Sequence, residues 1–155
     1  MMRHVNFFMK FAFSWRGLVA FGLQELPYLF WMIWPPANDP LRGNEPATPL
    51  LKILEAGGGI LTVALLLLLV PKTKDKPSNP VFLWFAGLLL LSYYVSWGFY
   101  LAGKASGLLI VFGLTVPVPL YYFFVSLYLQ NGWAASASLF FLIGHTWSNV
   151  VNFLY

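Results

Sequence analysis

The chain has 155 residues, of which 59% are hydrophobic and only 9% are charged, with a formal net charge of +4. A soluble domain carries about a quarter charged residues to keep its surface hydrated, so this composition excludes an ordinary soluble domain. The absence of cysteine excludes disulfides, thiolate metal sites, iron–sulfur clusters and cysteine nucleophiles. Most basic residues stand beside apolar segments as topology signals, so no nucleic-acid partner is expected.

The first two apolar segments have recognisable ends. Both are about as long as the hydrocarbon core of a bilayer requires of a helix. The first covers about 11–34 and stops before Pro35-Pro36, which cannot continue a helix. The second covers about 49–70, because Thr48 is a good N-cap, Pro49 suits the first helical position and Pro71 closes the segment.

Three further segments follow with short connections. Asn79 and Pro80 start the third, and the Asn131-Gly132 turn separates the fourth from the fifth. Their approximate ranges are 80–102, 107–130 and 133–155. The sequence therefore predicts an all-α fold, a single domain over 1–155 that forms an integral membrane bundle of five transmembrane helices.

Basic residues are unevenly shared between the two ends of this predicted bundle. The end with the N-terminus has six, and the other end has three; they are Arg3, Lys10, Arg16, Lys72, Lys74 and Lys76 against Arg42, Lys52 and Lys104. The excess predicts a cytoplasmic N-terminus, and five spans then put the C-terminus on the extracytoplasmic side. We expect a multi-pass protein of a bacterial plasma membrane.

Three ionisable residues lie inside the predicted spans, where each costs several kilocalories per mole unless it is paired or hydrated. Glu25, Glu55 and His145 each fall roughly 10–14 Å below the outer end of their span, at 1.5 Å per residue. Three helices of alternating direction thus place ionisable side chains in one layer. This coincidence predicts a polar pocket in the outer half of the bilayer, with these three residues at its core.

Neighbouring residues extend the predicted pocket. Asn149 lies one turn after His145 on the same face of the fifth span. The third span contributes aromatic and polar residues at the same depth, namely Tyr93, Ser96 and Trp97. Lys52 precedes Glu55 by one turn and is expected to pair with it. Residues 35–48 are expected to cover the mouth of the pocket.

Three classes of function fit this pattern. In the first, the protein binds or transports a small solute, an ion or a proton through Glu25, Glu55 and His145. In the second, it is an accessory or scaffolding subunit whose polar residues bridge helices, contact a membrane partner or support a homo-oligomer. In the third, it is a membrane-embedded enzyme.

The enzyme class has the weakest support in the sequence. No H-E-x-x-H motif and no recognisable setting for a nucleophile occur, so no catalytic residue is assigned. No cofactor is predicted, although Glu25, Glu55 and His145 are residue types that bind a divalent metal. The first class, binding or transport, is the function that we predict, and helix bridging is its main alternative.

Overall fold

The computed structural model describes residues 7–72 and 79–155, and this part of the chain is mostly helical. It contains five helices, α1 (Trp15–Ile33), α2 (Pro49–Leu68), α3 (Val81–Leu101), α4 (Leu109–Tyr128) and α5 (Gly132–Leu154). Two short strands, β1 (Met9–Phe11) and β2 (Leu69–Pro71), pair antiparallel. Three of the basic residues on which the predicted orientation rests lie outside the described residues, namely Arg3, Lys74 and Lys76.

Local capping explains where the helices begin. The Ser14 side chain accepts a hydrogen bond from the backbone of Gly17, and Thr48 accepts one from Leu51 ahead of Pro49 in α2. Such caps satisfy backbone donors that have no partner within the helix. The predicted N-cap at Thr48 is therefore confirmed.

The strands shorten the first two predicted spans. Phe11 and residues 69–70 were expected to be helical, but Phe11 pairs with Leu69 and Lys10 with Val70 in the strand ladder. The pairing continues beyond the strands, since Ala12 N donates to Leu68 O at 3.1 Å. Carbonyls at the end of α2 would otherwise have no partner, and the N-terminal segment supplies one.

Contacts at the two ends show that successive helices run in opposite directions. We call the end with β1, β2 and residues 129–131 the basic end, and the end with residues 34–48 and 102–106 the loop end. At the basic end, Asn131 Nδ2 donates to Leu65 O and Leu69 O at 2.9 and 3.0 Å. At the loop end, Leu41 N donates to the Tyr100 hydroxyl at 3.0 Å.

The outer surface of the bundle is apolar. Large hydrophobic side chains such as Ile60, Leu88 and Phe112 are more than 60% exposed, which a soluble surface would not tolerate over such an area. Among the described residues, α2, α3 and α4 are long and apolar enough to cross a membrane. In α4, 67% of the apolar window is buried, against 22% in α2 and α3, so α4 is the central helix.

We predict that Asn131→Ala destabilises the bundle by about 2–4 kcal/mol, because it removes a cap and two bonds to backbone carbonyls at a site only 1% exposed. Denaturant unfolding in a mild detergent measures the loss. Asn79→Ala is the matched control, since the Asn79 side chain accepts one exposed bond, from Val81 N. Equal losses for both variants would contradict the structural importance of Asn131.

Candidate functional site

Glu55 and His145 meet between α2 and α5. His145 Nδ1 lies 2.8 Å from Glu55 Oε1, and the two side chains are 22% and 20% exposed. The other carboxylate oxygen, Glu55 Oε2, is buried and has no hydrogen-bond partner among residues 7–72 and 79–155. The His145 ring also packs on Phe141, with the two ring centroids 5.0 Å apart. One carboxylate oxygen is thus engaged by the imidazole, and the other is open to a further donor or cation.

A π-helical segment, Ile53–Gly57, carries Glu55 at its centre. Such segments are rare and are frequent at functional sites, because the extra residue per turn re-aims the side chains. The expected pairing of Lys52 with Glu55 is wrong, since the one ion pair within the described residues joins Glu55 to His145. The wider turn starts directly after Lys52 and rotates Glu55 away from it, towards α5.

Two glycines allow α2 and α5 to approach closely enough for this contact. A Cβ at position 144 would lie 2.5 Å from the backbone nitrogen of Glu55, and one at position 58 would lie 2.9 Å from Phe141 Cα. No side chain larger than hydrogen fits at Gly144 without moving a backbone. Small residues are the usual means of close helix contact in membranes.

A ladder of asparagines connects His145 with the loop end. Asn149 Nδ2 donates to His145 O at 2.8 Å, and Asn149 Oδ1 accepts from Asn44 Nδ2 at 3.0 Å. Asn152 Nδ2 then donates to Asn44 Oδ1 at 2.6 Å and to Glu45 O at 2.7 Å. His145, Asn149 and Asn152 recur at i, i+4 and i+7, so one face of α5 carries polar groups from the pair to the end of the bundle.

Residues 35–48 pack over this end of the bundle. Asp39 accepts hydrogen bonds from the Trp31 ring nitrogen, at 3.1 Å, and from the Tyr100 hydroxyl. With Asn44 on the asparagine ladder, the segment is held on α1, α3 and α5 at once. Through Asn44 the segment contacts Asn149 and Asn152, on the polar face of α5 that it was predicted to cover.

Glu25 lies in different surroundings. It stands on α1, which contacts chiefly α2, α3 and α4, and its charge acts on Tyr93 and Tyr122. No group of three His, Cys, Asp or Glu side chains within the described ranges could hold a metal ion. Glu25, Glu55 and His145 therefore do not form the three-ligand set considered from the sequence. Residues at equal depth in a bilayer can still face different sides of their helices, so equal depth does not bring their side chains together.

Gln24, and not Glu25, faces the interior from α1. Its amide nitrogen donates to the Tyr93 hydroxyl at 3.2 Å, and its amide oxygen accepts from Tyr122 at 2.6 Å. Tyr94 donates to Leu23 O at 2.6 Å. Pro27 has no N–H for that carbonyl, so the tyrosine replaces the missing helical bond. We call Gln24, Tyr93 and Tyr122 the Gln24 cluster.

The three candidates on α3 also belong to the interior and not to the Glu55–His145 contact. Tyr93 and Trp97 are 4% and 3% exposed, and Trp97 packs against Tyr100 and Trp31. Ser96 Oγ donates to Ser92 O at 2.8 Å within the same helix. These residues fill the interface of α1, α3 and α4 and do not line an opening beside His145.

The Gln24 cluster and the role of Asn44 were not predicted. The buried face of α1 consists of Gly17, Ala20, Gln24 and Pro27, and the small residues Gly17 and Ala20, on the same face of the helix as Gln24, could have pointed to it. Asn44 gave no signal, because a polar residue in a connecting segment is ordinary.

Comparisons with protein-family models, curated proteins and solved structures give no match, so the geometry alone supports an interpretation of the site.

We predict that Gly144→Ala destabilises the protein by roughly 1–3 kcal/mol, because the new methyl group meets the backbone of α2. Gly98→Ala is the control: a Cβ there meets nothing within 4 Å, and alanine favours the helix by up to about 1 kcal/mol. Thermal unfolding in detergent compares the two variants. A Gly144→Ala protein as stable as Gly98→Ala would show that α2 and α5 are not in close contact.

Proposed function

We propose that the protein is a multi-pass membrane protein that binds a small inorganic cation in exchange for a proton at the Glu55–His145 site. The observation that carries the proposal is the 2.8 Å contact between His145 Nδ1 and Glu55 Oε1, beside a second carboxylate oxygen that is buried without a partner. A buried carboxylate oxygen normally has a hydrogen-bond partner, so one without a partner suggests an exchangeable occupant.

One proton decides the charge of this pair. When both ring nitrogens of His145 are protonated, its positive charge cancels the negative charge of Glu55. When one of these protons is lost, the pair carries one net negative charge. An unpaired charge is costly in a medium of low dielectric constant, so the deprotonated pair favours a cation at the open oxygen. Proton and cation therefore compete, and the apparent affinity for the cation rises as the pH rises.

The membrane arrangement is part of the proposal. We infer that α1 and α5, with 19 and 23 residues, cross the bilayer together with α2, α3 and α4. Lys10, Arg16 and Lys72 lie at the basic end, where the described chain has no carboxylate, and this favours a cytoplasmic basic end in a bacterial plasma membrane. The asparagine ladder then leads from the site to the extracytoplasmic side.

A test uses Glu55→Gln, which keeps the shape of the side chain and an oxygen for His145 but removes the charge. The unfolding temperature of the purified protein is measured from pH 5 to pH 8 with sodium, potassium, magnesium or calcium chloride, and with choline chloride at equal ionic strength. We expect at least one inorganic cation to raise the unfolding temperature, increasingly so at higher pH, because the cation binds the folded state.

Glu25→Gln serves as the matched control, because Glu25 is also a carboxylate within a helix but lies away from His145. Glu55→Gln is expected to lose the cation response, and Glu25→Gln to keep it. The proposal is wrong if no cation exceeds choline at any pH, or if Glu55→Gln responds as the natural sequence does.

A second candidate is a purely structural tie in an accessory subunit or homo-oligomer, and the close approach at Gly144 favours it. The two functions differ in what Glu55→Gln changes. A structural tie loses stability by a similar amount at every pH and in every salt, whereas the cation site loses its response to cations.

A further inference from the structure

A groove opens on the side of the bundle, between α1, α3 and α4. Its volume is about 560 Å³, within the range of roughly 300–1,000 Å³ that is usual for small-molecule sites. Most of its lining is aliphatic or aromatic, and Arg16 is its one charged residue. The Glu55–His145 site lies between α2 and α5, so the groove is separate from it.

All three walls run from the basic end into the bundle. They are the stretches from Arg16 to Leu23 in α1, from Leu83 to Leu90 in α3 and from Tyr128 back to Tyr121 in α4. Seven residues of helix correspond to about 10 Å, so the groove extends about that far inwards. At its inner end the Tyr121 hydroxyl donates to Ala20 O at 2.9 Å and is therefore satisfied.

Among the described residues, the charge at the mouth of the groove is positive, with no carboxylate beside it. Arg16 is exposed, and it forms no ion pair with any carboxylate of residues 7–72 or 79–155. Lys10 and Lys72 lie at the same end, on either side of the β1–β2 ladder. Arginine binds phosphate through two parallel hydrogen bonds, and basic pockets between membrane helices bind anionic headgroups.

We propose that this groove binds one acyl chain of an anionic phospholipid, whose phosphate pairs with Arg16. The apolar walls match a hydrocarbon chain, and the charged mouth distinguishes the site from the general lipid contact that any membrane helix makes. Trp15, beside Arg16 in the lining, is a residue type enriched at the level of the headgroups. The occupant is thus an anionic lipid in preference to a zwitterionic one.

The test is native mass spectrometry of the protein released from micelles that contain equal amounts of phosphatidylglycerol and phosphatidylcholine with identical chains. We expect one retained phosphatidylglycerol, favoured about tenfold over phosphatidylcholine by the charge-assisted contact. Arg16→Gln is expected to bring the ratio close to one. Arg42→Gln, which removes an arginine outside the groove, is expected to leave the preference unchanged.

A second variant tests the acyl chain independently of the headgroup. Gly87 lines the groove, and a Cβ there meets nothing within 4 Å, so a leucine side chain at this position starts in open space and is expected to enter the groove. Gly87→Leu is expected to lower the retention of both lipids about tenfold, as loss of a filled apolar site requires. Unchanged retention in Gly87→Leu, or an unchanged preference in Arg16→Gln, overturns the proposal.

Discussion

A polar group inside this bundle is destabilising unless it finds a partner, because the apolar surface offers it none. The organisation of the molecule follows from this constraint. Pro27 leaves the Leu23 carbonyl without its helical bond, and Tyr94 supplies the missing donor from α3. At the basic end, Asn131 satisfies carbonyls where α2 gives way to a strand. These bonds hold helices together at depths where apolar packing alone gives little specificity.

The same constraint distinguishes the two polar regions of the protein. In the Gln24 cluster, the amide nitrogen and the amide oxygen of Gln24 are each paired with a tyrosine hydroxyl. At the Glu55–His145 contact, one carboxylate oxygen is paired and the other is not. Glu55 also lies on a π-helical segment, and residues 35–48 are hydrogen-bonded to Asn149, one turn from His145. The paired amide of Gln24 holds helices together, whereas the unpartnered oxygen of Glu55 is the position that we propose for a cation.

The sequence predicted the helices well, because Thr48, Pro49 and the apolar lengths act locally. It also predicted that Glu55 and His145 would share a layer, and they are in contact. The sequence also placed Glu25 in this pocket, because the depth of a residue can be counted along a helix. The direction of its side chain cannot be counted in this way, because it depends on which face of α1 packs against the other helices. The strand pairing and the π-helical turn at Glu55 arise from contacts between distant segments, which no local pattern encodes.

On the proposed function, a proton leaves the Glu55–His145 pair when a cation binds. Calorimetric titration of the cation that stabilises the protein, performed at one pH in two buffers of different ionisation enthalpy, counts the protons released per cation bound. We expect the natural sequence to release close to one proton per cation at a pH where the pair is protonated. A cation that binds with the same heat in both buffers, and so releases no proton, would contradict it.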